Sequence, residues 1–90
     1  MKIEVKQEHL TKGERADCQN CPVALALNEA TSCYWSVDGI SARNCHTDMY
    51  YSLPIEVRTK IGLFDSNVLV KPFSFEFDYE EPYLLPVYPK

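Results

Sequence analysis

Apolar and polar residues alternate at both ends of the chain. In "KPFSFEFDYE", Phe73, Phe75, Phe77 and Tyr79 fall on one side, and Ser74, Glu76, Asp78 and Glu80 on the other. A period of two predicts a strand with one face on a core and one in water. Pro72 stands at its start, where a missing N–H is tolerated. In "KIEVK", Ile3 and Val5 face one way and Lys2, Glu4 and Lys6 the other, which predicts a second half-buried strand. The polar "QEHLTKG" that follows reads as a turn or a single helical turn.

Between these strands the period changes. In "PVALALNEA", Val23, Ala26, Leu27 and Ala30 recur at helical spacing, and Leu25 lies off that stripe, so the helix is buried on more than one side. Pro22 suits a first helical position, since its fixed φ matches the helix and its missing N–H is not needed there. A second helix is predicted over "PIEVRTKIGLFD", with Leu53, Val57, Ile61 and Phe64 forming the apolar stripe. Gly62 weakens that helix by about 1 kcal/mol relative to Ala, which predicts a close packing contact at this residue. "SCYWSVDGISARNC" reads as a hairpin: Tyr34, Trp35 and Val37 favour strands, and Asp38-Gly39 is a turn signal. "HTDMYYS" continues it as a connection or strand extension.

The resulting order is βαββαβ. It predicts an α+β, two-layer sandwich with two helices on one face of a mainly antiparallel sheet, an order shared with the ferredoxin-like split βαβ plan. Residues 1–81 form one domain. Residues 82–90 hold three prolines and read as an extended tail.

Composition narrows the function classes. The 90 residues carry a net charge of −4, and residues 61–90 hold five acidic and two basic side chains. Such a chain lacks the positive footprint that a phosphate backbone selects, so nucleic acid is not a direct ligand; a basic protein surface, including one that normally holds nucleic acid, is the better partner. No apolar run nears the roughly 20 residues that span a bilayer, and the N-terminus shows no signal-peptide h-region, which points to the cytoplasm and no membrane partner. Three glycines build no phosphate-binding loop. Cys45 beside His46 lacks an orienting group at any recognisable spacing, so no enzyme constellation stands in the sequence.

Two surfaces and one cluster remain. Glu76, Asp78 and Glu80 project from one strand face about 6–7 Å apart, close to the spacing of successive phosphates. With Glu81 and the tail tyrosines Tyr83 and Tyr88 they are the expected partner-binding set; Tyr50, Tyr51, Leu84, Leu85 and Val87 add to an aromatic and apolar surface. The cluster is cysteine. Cys18 and Cys21 form C-x-x-C, and a hairpin with its tip at Asp38-Gly39 brings Cys33 and Cys45 together at its open end. Four thiols can hold zinc tetrahedrally, although a second C-x-x-C is missing. The other readings are a redox dithiol, opposed by Asp17 and by a fold order unlike thioredoxin's, a disulfide pair, or reduced thiols acting as small buried hydrophobes. No cofactor is expected on the last reading, and structural zinc on the first.

"GERADCQNCPVALAL" and "LPIEVRTKIGLFDSNVLVKPFSFEF" together resemble a set of small uncharacterised proteins of tailed bacteriophages, notably those of actinobacteria. The residues that carry the resemblance are Cys18, Cys21 and 22–27, then Leu53, Pro54, Val57, Phe64, Asp65, Pro72, Phe73 and Phe75. Cys33, Cys45 and the proline-rich tail stand outside that pattern. The resemblance implies a bacterial host cytoplasm during infection and transfers no functional residue. The expectation is a small acidic accessory protein that binds and inhibits or redirects a host macromolecule; the alternative is a zinc-bound or thiol-containing structural module built on Cys18, Cys21, Cys33 and Cys45.

Overall fold

Three helices and a three-stranded meander separate the two alternating strands, and that separation shapes the molecule. A computed structural model describes residues 1–80. Residues 81–90, with Glu81, Tyr83, Tyr88 and the tail expected over 82–90, lie outside the described residues. The elements run β1 (Lys2–Val5), α1 (Gln7–Lys12), α2 (Pro22–Ala30), β2 (Trp35–Val37), β3 (Ser41–Asn44), β4 (Tyr50–Ser52), α3 (Ile55–Asp65) and β5 (Phe73–Glu76). The α+β class and the antiparallel pairing stand as expected. The strands divide between two sheets, β1-β5 and β2-β3-β4, and three helices replace two.

The two terminal strands pair with Ile3 opposite Phe75 and Lys2 opposite Glu76. The pairing continues past β5, where Phe77 N–H donates to Met1 O at 2.8 Å and the Met1 amine donates to Phe77 O at 2.9 Å. The hairpin turn sits one residue later than the Asp38-Gly39 signal implies. Gly39 has φ +94° and takes the first of two loop positions, Gly39-Ile40, with Asp38 N–H bonded to Ser41 O. A two-residue loop with glycine first has the twist that a hairpin needs. The Asp38 carboxylate accepts from Ile40 N–H at 2.9 Å and from Ser41 N–H at 2.7 Å and locks the loop; these bonds, Ser41's first, hold its carboxyl below the usual carboxylate range.

A second tight turn, with Asp48 at φ +60°, adds β4 to the hairpin. The outer edge of β2 is already taken. Val37 N–H donates to Cys18 O at 2.7 Å, and Trp35 N–H donates to Asn28 Oδ1 at 2.9 Å. No strand can add where those donors are used. α2 packs against both β1 and β2 and joins the sheets.

Trp35 is the largest fully buried side chain. Its ring meets Phe77 edge-on at 5.4 Å, Tyr79 at 5.0 Å and Tyr51 at 5.6 Å, and its indole N–H donates to Thr31 Oγ1 at 2.8 Å. Ile3, Val5, Val23, Leu27, Leu53, Val57 and Ile61 complete the core. The α3 stripe is buried at Leu53, Val57 and Ile61 and half-buried at Phe64, as its period predicts. Gly62 corrects the expectation placed on it: it is exposed, and a Cβ there would meet nothing within 4 Å.

Candidate functional site

The acidic face is built on the aromatic side of the same strand. Phe75, Phe77 and Tyr79 are buried, so Glu76, Asp78 and Glu80 must face out, and all three are exposed. Tyr79 is held by Trp35, by the Tyr51 ring at 5.3 Å and by a 3.6 Å contact between its hydroxyl and Cys33 Sγ. These contacts leave the acidic residues little freedom to rotate inward. The row is not one flat strand, however. β5 ends at Glu76, and Tyr79 N–H donates to Phe77 O at 2.8 Å, a three-residue turn centred on Asp78. That turn breaks the even phosphate-like spacing between Glu76 and Glu80.

The three carboxylates also differ in charge environment. Glu76 lies opposite Lys2 and 3.7 Å from the Met1 amine. Asp78 and Glu80 have no ion-pair partner among the described residues. Lys6 follows β1 at the Phe73 end of the ladder, where it pairs with Glu29 at 3.3 Å. Asp78 and Glu80 are thus the unpaired carboxylates of this row among the described residues. Of the tyrosines expected on the partner surface, Tyr50 is exposed and Tyr51 packs half-buried against Trp35.

The four cysteines do not converge. The hairpin register sets Cys45 opposite Tyr34, with Cys45 N–H donating to Tyr34 O at 3.0 Å. Cys33 is one residue before Tyr34, so side-chain alternation sends it to the other face, where it is fully buried. Cys18 is exposed, and Cys21 is buried at the start of α2. The only His/Cys/Asp/Glu group among the described residues with ligand atoms close enough for one ion contains no cysteine. The tetrahedral set Cys18, Cys21, Cys33 and Cys45 is thus not assembled in this fold. Burial pushes the Cys21 thiol up, and its Sγ accepts from Ala24 N–H at 3.4 Å as the α2 N-cap, a structural role for this sulfur.

One polar group has a buried structural role in place of a loop position. His9, on α1, is buried and reaches across to α2, with Nε2 3.1 Å from Glu29 Oε2. Its Nδ1 accepts from Lys6 N–H at 2.9 Å. The signal for it was the spacing of His9 three residues after the residue that precedes α1, the position from which a side chain reaches back to a cap N–H. Glu8, His9 and Glu29 offer ligand atoms within 4.8 Å of one another. The hydrogen bonds oppose a metal there. Because Nδ1 accepts, the ring proton sits on Nε2; an ion on Nε2 would drive it to Nδ1, against the Lys6 N–H. With both nitrogens engaged, His9 is not poised as a general base. His46 sits in a turn where Asn44 Oδ1 accepts from its N–H at 2.9 Å, with its ring 6.2 Å from Tyr34.

The surface is shallow elsewhere. A concavity of about 440 Å³ between α1 and the residues after α3 is lined by Leu10, Arg15, Phe64, Asn67 and Leu69, with the Arg15 guanidinium 5.7 Å from the Phe64 ring centre. Among the described residues no helix is long and apolar enough to cross a membrane. No protein-family model, no curated protein and no solved structure matches this chain.

Proposed function

We propose that the chain is a non-enzymatic binding protein of the bacteriophage accessory kind, which inhibits or redirects a host macromolecule by docking on a basic protein surface. The observation that carries this reading is the exposed pair Asp78 and Glu80, without an ion-pair partner among the described residues and fixed from behind by the Trp35–Phe77–Tyr79 cluster. A rigid, uncompensated anionic edge attracts a basic partner over a distance of about a Debye length and docks without first being ordered. Glu76 contributes less, since Lys2 opposes it. Glu81, Tyr83 and Tyr88 would extend the contact, and exposed Tyr50 adds a separate aromatic point. The engaged nitrogens of His9 favour binding over catalysis.

The test is capture from bacterial host lysate with the full chain, compared with the double variant Asp78→Lys, Glu80→Lys. A partner that is retained by the parent protein, lost by the double variant and released by added salt supports the reading. Equal retention by both proteins, with no salt dependence, removes it. Both substitutions are at exposed positions, so the variant keeps the fold.

A further inference from the structure

Four strand edges border the two sheets, and three are occupied or blunted. The outer N–H groups of β2 are taken by Cys18 O and Asn28 Oδ1. β1 carries Lys2 and Glu4 and is followed by Lys6; β5 follows Pro72 and ends in Glu76. Charges, prolines and covered donors are how sheets prevent unwanted pairing. Among the described residues, β4 has no charge, proline or covered outward donor within it. Its residues, Tyr50, Tyr51 and Ser52, are uncharged, and Tyr50 is 66% exposed beside Met49 at 58%.

The direction of its free backbone groups follows from the register. Ala42 pairs with Tyr51, Asn44 N–H donates to Met49 O at 2.9 Å, and Leu53 N–H donates to Ile40 O at 3.1 Å. Positions 49, 51 and 53 therefore bond to β3, and Tyr50 and Ser52 turn their N–H and C=O away from it.

We propose that β4 pairs antiparallel with β4 of a second copy of this chain about a two-fold axis at Tyr51, joining two three-stranded sheets into one. The edge is self-complementary in this register. Tyr50 faces Ser52 of the second copy, and each such pair exchanges two hydrogen bonds through the outward groups. Met49 faces Leu53, and Asp48 faces Pro54, so no like charges meet and the pairing stops where proline has no N–H to give. Asp48 is already held by Arg43 at 2.8 Å. The two exposed Tyr50 rings lie on one sheet face within reach of each other, as diagonal neighbours are. A strand of three residues makes a small interface, so association is weak and concentration-dependent. The acidic row lies on the other sheet, and this proposal stands apart from its function.

Sedimentation equilibrium of the full chain from about 10 µM to about 1 mM tests it. The mass should rise from the 10.4 kDa of one chain toward twice that value. Over the same series, amide exchange at Tyr50 and Ser52 should slow by about tenfold or more as the edge is covered. Tyr50→Pro removes one outward N–H and no bond to β3, so it should weaken association by about tenfold or more while the thermal midpoint holds. Single-chain mass throughout, growth past two copies, or unimpaired association of a folded Tyr50→Pro variant each overturns the proposal. Exchange at Tyr50 and Ser52 that is already slow at the lowest concentration overturns it too, and that reading needs no variant.

Discussion

Gly13 lies directly against the ring of Pro22. A Cβ on Gly13 would stand 2.6 Å from both Cδ and Cγ of Pro22 and 2.8 Å from the carbonyl oxygen of His9. The backbone of Gly13 is ordinary, with φ −66° and ψ 150°, so the constraint is steric rather than conformational. This contact sets the first residue of α2 against the end of α1. Gly13→Ala must push the Pro22 ring or the α1 carbonyl aside, and forced overpacking of this kind costs about 1–3 kcal/mol. Urea unfolding should show a lower midpoint with an unchanged slope.

Gly62 gives the opposite result. It is in the middle of α3, and nothing lies within 4 Å of the position its Cβ would take. Gly62→Ala gains helix propensity without a clash and should stabilise the protein by about 0.5–1 kcal/mol. Thermal unfolding of the two alanine variants side by side should move the midpoint in opposite directions.

The thiols should react in order of exposure. Cys18 is exposed, Cys45 half-buried, and Cys21 and Cys33 buried. A thiol reagent on the folded protein should modify Cys18 first, and Cys21 and Cys33 only at the rate of unfolding. Cys21→Ala also removes the sulfur that accepts from Ala24 N–H and should cost about 0.5–2 kcal/mol, the range for a lost N-cap. Rapid labelling of Cys33 in the native state would contradict the packing against Tyr79.

Lys6 and Glu29 should make stability fall at both ends of the pH range. The hydrogen bond from Lys6 is the main cause holding Glu29 below its ordinary value of 4.5. A carboxyl depressed by folding stabilises the native state above its unfolded pKa, and that stabilisation is lost as pH falls through the folded one. The same bond to Glu29 raises Lys6 above 10.5; its contribution is complete below that value and lost as pH rises through the folded one. Glu29→Gln should flatten the acid limb below about pH 4.5 and the basic limb above about 10.5, read from unfolding midpoints across pH. The pair is on the surface, so both effects should shrink in high salt.

The acidic face was legible because each acid directly follows a buried aromatic in the chain. Once Phe75, Phe77 and Tyr79 are in the core, Glu76, Asp78 and Glu80 have no other side to occupy. What stayed hidden was their inequality. Lys2 reaches Glu76 through pairing between the two ends of the described chain, and the turn at Asp78 depends on where β1 stops supporting β5.

Local pattern alone determined the clearest elements: Pro22 opened α2, the Leu53–Phe64 stripe set α3, and alternation set β1 and β5; it did not set α1 or the end of β5. These signals act between residues a few positions apart, where backbone geometry imposes the period. The tertiary structure decided the rest. Cys18 and Asn28 closed the outer edge of β2, the hairpin register placed Cys33 and Cys45 on opposite faces, and the fit of Gly13 to Pro22 gave the critical role to a glycine outside any helix. Each depends on contacts between residues distant in sequence, made only when burial of Trp35 and its neighbours brings the segments together.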